Sequence, residues 1–182
     1  MAETNPAFHY VCTRGQAWDL VKGRERFWVS NCDCRESRGG CKRSRMDLCL
    51  QFRGETAAQG SNKHEITLAE VEEIFREAER KRLVTRPFRC EDDLTVTDGI
   101  CFCCDDCCGY FLNREERCDK DVCIELTDMK LCTHCGICEE VCYFRARRMD
   151  GDTLAVNREE CYGCGLCEHV CPEDCIQMTP RN

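Results

Sequence analysis

The sequence predicts an α+β fold in which a small, internally duplicated module, residues 122–182, follows a cysteine-rich α+β domain, residues 1–121. Three observations carry this reading. The run C-x2-C-x2-C-x3-C occurs twice, at Cys132, Cys135, Cys138 and Cys142 and again at Cys161, Cys164, Cys167 and Cys171. A strongly amphipathic helical segment follows Thr67. Short strand-like runs flank it and recur around the duplicated loops.

Composition narrows the class. Of 182 residues 22 are cysteine, so the 42% hydrophobic fraction leaves only about 30% as ordinary apolar residues, a lean supply for a core. Bound metal is then expected to take over part of the core's work. Such a cysteine fraction in a short secreted chain signals a disulfide scaffold, but Met1 to Val11 shows no basic segment followed by an apolar one, so no export signal is visible. No stretch approaches the roughly 20 apolar residues that span a bilayer. The expectation is a cytoplasmic protein of a reducing, oxygen-poor cell.

The formal net charge of -8 is unevenly spread. His9 to Gly54 holds ten Lys/Arg against five Asp/Glu, while Glu91 to Asp121 holds three against ten. The acidic second half argues against nucleic acid, whose phosphates it would repel. The basic first segment reads as a solvated face that offsets buried negative charge, with docking of an acidic protein as the alternative.

Taken in order, Gly15 to Lys22 carries Ala17, Trp18, Leu20 and Val21 at helical spacing. Arg26 to Ser30 reads as a strand running into Cys32 and Cys34, which alternation would place on one face. With Cys41 and Cys49 these make a set of four thiolate ligands. Gly54 to Lys63 is a polar, exposed connection. Thr67 and Glu70 form a capping box, and Val71, Ile74, Phe75 and Ala78 are the buried stripe of the helix that follows. Pro87 is expected to end the helical region. Cys101, Cys103, Cys104, Cys107 and Cys108 then crowd into eight residues and read as metal ligands. An extended chain pairs Cys101 with Cys103, a helix pairs Cys103 with Cys107 and Cys104 with Cys108; in either case neighbouring thiols point apart. Asp106 reads as solvent-facing by default, with iron ligation through its carboxylate oxygen as the alternative. Cys12, Cys90 and Cys175 read as buried, unliganded thiols, and Cys118 and Cys123 lie in a charged link, placed to close a site with the cysteines before them. In the C-terminal module Ile124–Thr127 should pair with Cys175–Thr179, and Asp150-Gly151 should turn a hairpin. His134 is expected to hydrogen-bond or face solvent, not to ligate.

The duplicated run, closed by Cys171-Pro172, resembles the two-cluster bacterial ferredoxins. That resemblance implies a ferredoxin-like duplicated module with two [4Fe-4S] clusters, one held by Cys132, Cys135, Cys138 and Cys171 and the other by Cys161, Cys164, Cys167 and Cys142. The fourth cysteine of each run crosses to the other cluster. Gly136, Gly163 and Gly165 suit loops that curl tightly and need positive φ. Tyr143 departs from the pattern, standing where a proline would follow Cys142. A structural zinc fits poorly here, since three cysteines at successive x2 intervals exceed what one zinc takes from one loop.

The arrangement from Cys32 to Gly109 resembles, more loosely, ferredoxin-type iron–sulfur proteins of anaerobes. One or two further [4Fe-4S] clusters are expected there, with zinc as the alternative for either cysteine group. Arg35 and the basic excess around it favour a multiply charged cubane. The function implied is a one-electron relay, in a subunit of a larger anaerobic oxidoreductase whose other subunits are its redox partners. Cys107-Cys108-Gly109 also resembles the CCG segments of heterodisulfide reductase subunits, which implies an enzyme subunit as the second reading. A metal-containing regulator is the third, and the absence of a helix-turn-helix or basic stripe speaks against it.

Overall fold

The computed structural model describes residues 5–54, 60–113 and 116–181. The chain runs β1 (His9–Tyr10), α1 (Arg14–Lys22), β2 (Phe27–Ser30), α2 (Asp33–Glu36), β3 (Cys49–Gln51), β4 (His64–Ile66), α3 (Leu68–Arg80), β5 (Val84–Arg89), β6 (Thr97–Cys103), α4 (Gly109–Asn113), β7 (Cys118–Asp119), β8 (Cys123–Thr127), α5 (Ile137–Glu140), β9 (Arg147–Asp150), β10 (Thr153–Val156), α6 (Leu166–Val170) and β11 (Ile176–Pro180). A single 3-10 turn, Arg158–Glu160, precedes the second cysteine run. The fold is α+β, as the sequence predicts.

The first seven strands form one sheet in the order β4-β2-β3-β6-β5-β1-β7. Strand alternation gives it two chemically different faces. Leu50, Ile100 and Phe102 point to the side covered by α1 and α3, where Val71, Ile74, Phe75 and Ala78 are buried against them. Phe75 meets Trp18 and Phe102 edge to face at 5.0 and 5.3 Å. The opposite face presents Cys49, paired with Cys101 in register, and Arg86, paired with Cys101 from the other side. The apolar core thus sits behind the sheet and the thiols in front of it.

Both long helices start on capping boxes. Thr13 accepts from Gln16 N–H and Thr67 from Glu70 N–H, while Gln16 and Glu70 reach back to the cap residues. α3 ends at Arg80, and the chain reverses at Arg82 in a left-handed conformation. Pro87 therefore does not end the helix; it lies inside β5. Of the predicted exposed connection, residues 55–59 lie outside the described residues.

In the C-terminal part β8 pairs with β11 from Ile124↔Thr179 to Thr127↔Ile176, and β9 pairs with β10 around Gly151 at φ +58°. Val141, Tyr143, Phe144 and Leu166 of this part belong to the same apolar core as α1, α3 and the sheet. Cys138, Leu154, Cys175 and Ile176 make a separate, very small cluster.

Candidate metal centres

The duplicated runs build two small cavities. Cys132, Cys135, Cys138 and Cys171 line one, together with Cys175. Cys142, Cys161, Cys164 and Cys167 line the other. In each, three thiols come from one loop and the fourth from the opposite run. The loops close this tightly because Gly136, Gly163 and Gly165 adopt φ of +79°, +81° and +75°, which side chains with a Cβ rarely tolerate. At Gly163 there is no room for one: a Cβ would lie 2.3 Å from the Cys123 carbonyl oxygen. Burial raises the Cys142 and Cys164 thiols, and pushes Cys167 up to about 12 despite Arg147 nearby.

A buried cation stands between these cavities. Arg147 donates to Cys138 Sγ at 3.4 Å and to Thr127 Oγ1 at 2.6 Å, and it pairs with the buried Glu125. Burial opposes its charge, yet Cys167, Glu125 and Cys138 around it raise its pKa. Arg158 holds the other Glu125 oxygen at 2.9 Å. Sequence reasoning missed Arg147 and Glu125, since a charged residue on a short strand carries no sign that it is buried. His134 stands beside the first cavity: its Nδ1 accepts Leu154 N–H at 3.1 Å and lies 3.8 Å from Cys132 Sγ, and its own backbone N–H points at that sulfur, 3.4 Å away. Cys175, expected to be an uninvolved thiol, lies 3.4 Å from Cys171 Sγ and lines the first cavity.

In front of the seven-stranded sheet lies a much larger cavity, about 470 Å³. Six thiols line it: Cys32, Cys34, Cys49, Cys101, Cys103 and Cys108. The grouping differs from the predicted set of Cys32, Cys34, Cys41 and Cys49, because Cys41 is elsewhere. The local geometry differs too. β2 stops at Ser30, Cys32 becomes the N-cap of α2, and its carbonyl accepts from Arg35 and Glu36 N–H. Cys32 and Cys34 therefore reach the cavity from the first turn of a short helix, not from one face of a strand. The extended reading holds for Cys101 and Cys103 on β6, after which the chain turns and Cys108 enters the same cavity just ahead of α4. Gly109 N–H points at Cys34 Sγ, 3.5 Å away.

The remaining thiols of this region, Cys41, Cys104 and Cys107, form a third group. Cys104 Sγ is 3.5 Å from Cys41 Sγ and 3.6 Å from Cys107 Sγ. Neighbours in sequence thus divide: Cys103 and Cys108 go to the cavity, Cys104 and Cys107 to the compact group. Asp106 is half-buried and accepts Lys42 N–H at 2.8 Å. Cys118 and Cys123 do not line the cavity, although Cys118 lies beside Arg86. Cys12 and Cys90 are buried, and burial pushes Cys12 up to about 12.

Two more buried arginines serve these thiols. Arg35 is fully buried, donates to the Phe102 carbonyl at 2.8 Å and leaves Nε and Nη1 without an oxygen acceptor. Burial works against its charge, and Cys32, Cys107 and Cys103 raise its pKa nonetheless. It sits between the cavity and the compact group. Arg86 ion-pairs with Glu116 at 2.8 Å and approaches Cys108 Sγ at 3.7 Å. A buried guanidinium facing thiols suits sites whose sulfur carries negative charge.

Residues 131–175 match the family description 4Fe-4S dicluster domain, and no curated protein matches the chain. The matched segment spans both small cavities and all eight cysteines of the duplicated run. Its cofactors are [4Fe-4S] clusters, and the protein has an iron–sulfur electron-transfer role. Among the described residues no helix is long and apolar enough to cross a membrane.

Proposed function

We propose that the chain relays single electrons between redox partner proteins through three iron–sulfur centres, as a subunit of a larger oxidoreductase. Bound clusters supply the one-electron chemistry; the residues set where each sits and what charge surrounds it. In this reading Cys132, Cys135, Cys138 and Cys171 hold one cluster, Cys161, Cys164, Cys167 and Cys142 the next, and four of the six cavity thiols the third.

The observation that carries the proposal is the wall between the large cavity and the second small one. Tyr110 lines the large cavity; Phe144 and Tyr162 line the small one. Phe144 and Tyr162 stack at 4.3 Å, and Tyr110 approaches both at 6.3 Å. One aromatic layer therefore separates the centres. Arg147, touching Cys138 and beside Cys167, performs the same separation between the two ferredoxin-type cavities. At the far end Cys135 is exposed, with Leu131 and Met129 at the surface next to its loop, which suits exchange with a docked protein.

The test is iron and acid-labile sulfide analysis of the anaerobically purified full chain, combined with EPR during a reductive titration. About twelve irons per chain and a third signal coupled to the dicluster pair are expected. About eight irons, with the cavity thiols alkylated by iodoacetamide in the folded protein, would confine the relay to the dicluster module.

The cavity's size favours a second reading. It exceeds the two dicluster cavities, about 20 and 10 Å³, many times over, leaving room beside a centre for a small molecule, as a heterodisulfide-reductase-like enzyme would need. Disulfide reduction by the isolated chain with reduced viologen as donor would distinguish it from a relay.

A further inference from the structure

The compact group of Cys41, Cys104 and Cys107 behaves differently from every other thiol set in the molecule. Its three sulfurs lie within 4.8 Å of one another, and among the described residues no other three cysteine, histidine or acidic side chains come so close together. The eight cysteines of the dicluster module are an internal reference: built for cubanes, none of their trios reaches this spacing. Geometry explains the contrast. Bonds of about 2.3 Å to one tetrahedral zinc put thiolate sulfurs about 3.8 Å apart. Sulfurs on the corners of a cubane must clear its iron and sulfide core and stand roughly 6 Å apart. The observed 3.5 and 3.6 Å fall beside the first value.

We propose that Cys41, Cys104 and Cys107 bind a single zinc ion, separate from the iron–sulfur centres, with the Asp106 carboxylate as fourth ligand. Asp106 stands between Cys104 and Cys107 in sequence, and its side chain already lies against the Cys41 thiol while accepting Lys42 N–H. The carboxylate does not lie within 4.8 Å of all three sulfurs, so ligation requires the Asp106 side chain to rotate toward them when the ion binds. Three thiolates and a carboxylate on a divalent ion leave two negative charges, and Arg35 beside Cys107 offsets one of them from the buried side.

The site's position gives it a task. It joins the loop at Cys41 to the turn between β6 and α4. From that loop Arg43 reaches over the Tyr143 ring, 5.2 Å from its centre, and pairs with Asp105 at 2.8 Å. Tyr143 directly follows Cys142, a cysteine of the second dicluster cavity, and its hydroxyl donates to the Arg82 carbonyl at 3.1 Å. A zinc ion here fastens the sheet domain to the dicluster module and holds the aromatic wall between their centres at fixed thickness. The tyrosine that replaces the usual proline is what the fastened loop grips.

Zinc-edge X-ray absorption and metal analysis on the anaerobically purified full chain test this. About one zinc per chain is expected, with three sulfurs at about 2.3 Å and one oxygen near 2.0 Å. Cys104→Ser should lose that zinc while iron content and the dicluster EPR signals persist; Asp106→Ala should keep the three-sulfur shell and bind zinc at least tenfold more weakly. The spectrum of the unaltered protein stands even if Cys104→Ser folds poorly. A chain without zinc, a four-sulfur shell, zinc retained in Cys104→Ser, or loss of about four irons in that variant would each overturn the assignment.

Discussion

The two halves of the molecule gather their thiols in opposite ways. In the dicluster module each cavity takes three cysteines from one seven-residue loop and one from the partner run, and little besides Leu154 and Ile176 packs behind the first cavity. In the N-terminal half the cavity thiols come from α2, β3, β6 and the approach to α4, all fixed to a sheet whose far face is buried under α1 and α3. One half gathers its thiols on short loops and the other on a packed sheet. Iron removal should separate them. Anaerobic chelation with thiols kept reduced is expected to abolish cooperative unfolding of the dicluster module, because cages there replace core packing. The seven-stranded sheet should retain a thermal transition. Loss of both transitions together would show that the shared core around Val141 and Phe144 makes them one unit.

Cross-ligation gives the next largest effect. Cys142→Ser should damage the centre at Cys161, Cys164 and Cys167 while sparing that at Cys132, Cys135 and Cys138. EPR showing only the latter disturbed would refute the crossing.

This contrast also explains what could be read from the sequence. The dicluster ligand sets are what the resemblance of the duplicated run to two-cluster ferredoxins implies, and the same eight thiols line the two small cavities. The paired strands Ile124–Thr127 and Ile176–Thr179 and the stripe of α3 follow from alternation and helical period. The N-terminal grouping was not legible, since it depends on sheet register: only the pairing Cys49↔Cys101 brings those thiols together. Cys41 separates from Cys32 because α2 turns the chain where alternation alone would extend it. The buried arginines were hidden for a further reason. Arg35 alone, lying between two predicted ligands, gave a sign of its role; Arg86 and Arg147 look like surface residues until the fold encloses them.

Two glycines sharpen the comparison within the module. At Gly163 an added Cβ would overlap the Cys123 carbonyl as well as forcing a strained φ, whereas at Gly136 the nearest atom is Met149 Cγ at 3.5 Å. Gly163→Ala should cost more than about 3 kcal/mol and the second cluster with it. Gly136→Ala carries the backbone strain alone, about 1–2 kcal/mol. Equal losses in denaturant titrations of the two variants would mean that the fit against β8 is looser than described.

Charge offers a smaller and more specific probe. Arg35 faces the cavity thiols and the compact group, but neither dicluster cavity. Arg35→Met removes a buried positive charge, so reduction at the large cavity should become harder by on the order of 100 mV, as a unit charge acts across several ångströms at an effective dielectric near 20. Redox titrations should show the dicluster potentials unmoved. A shift of all centres alike would point to a general loosening of the fold instead.

The smallest effect concerns how the helix side supports the thiol side. Glu77, on the buried face of α3, accepts from the Ser44 hydroxyl at 2.7 Å and ion-pairs with Arg45 at 3.4 Å, holding the segment between Cys41 and Cys49. Burial alone would raise its pKa, but Ser44, the Arg45 N–H and the Arg45 guanidinium outweigh it, and the carboxyl lies below its usual 4.5. A depressed carboxyl pKa contributes stability that is fully present above the unfolded value and is lost as pH falls through the folded one. Glu77→Gln keeps the shape and removes the charge, at a cost on the order of 1 kcal/mol. Urea midpoints of the two proteins, compared at the same pH, should differ by a constant amount from pH 7 down to about 5 and converge below about 4.5. A gap that widened in acid would have the wrong sign for a stabilised carboxylate, and would mean that Glu77 is held in the protonated form.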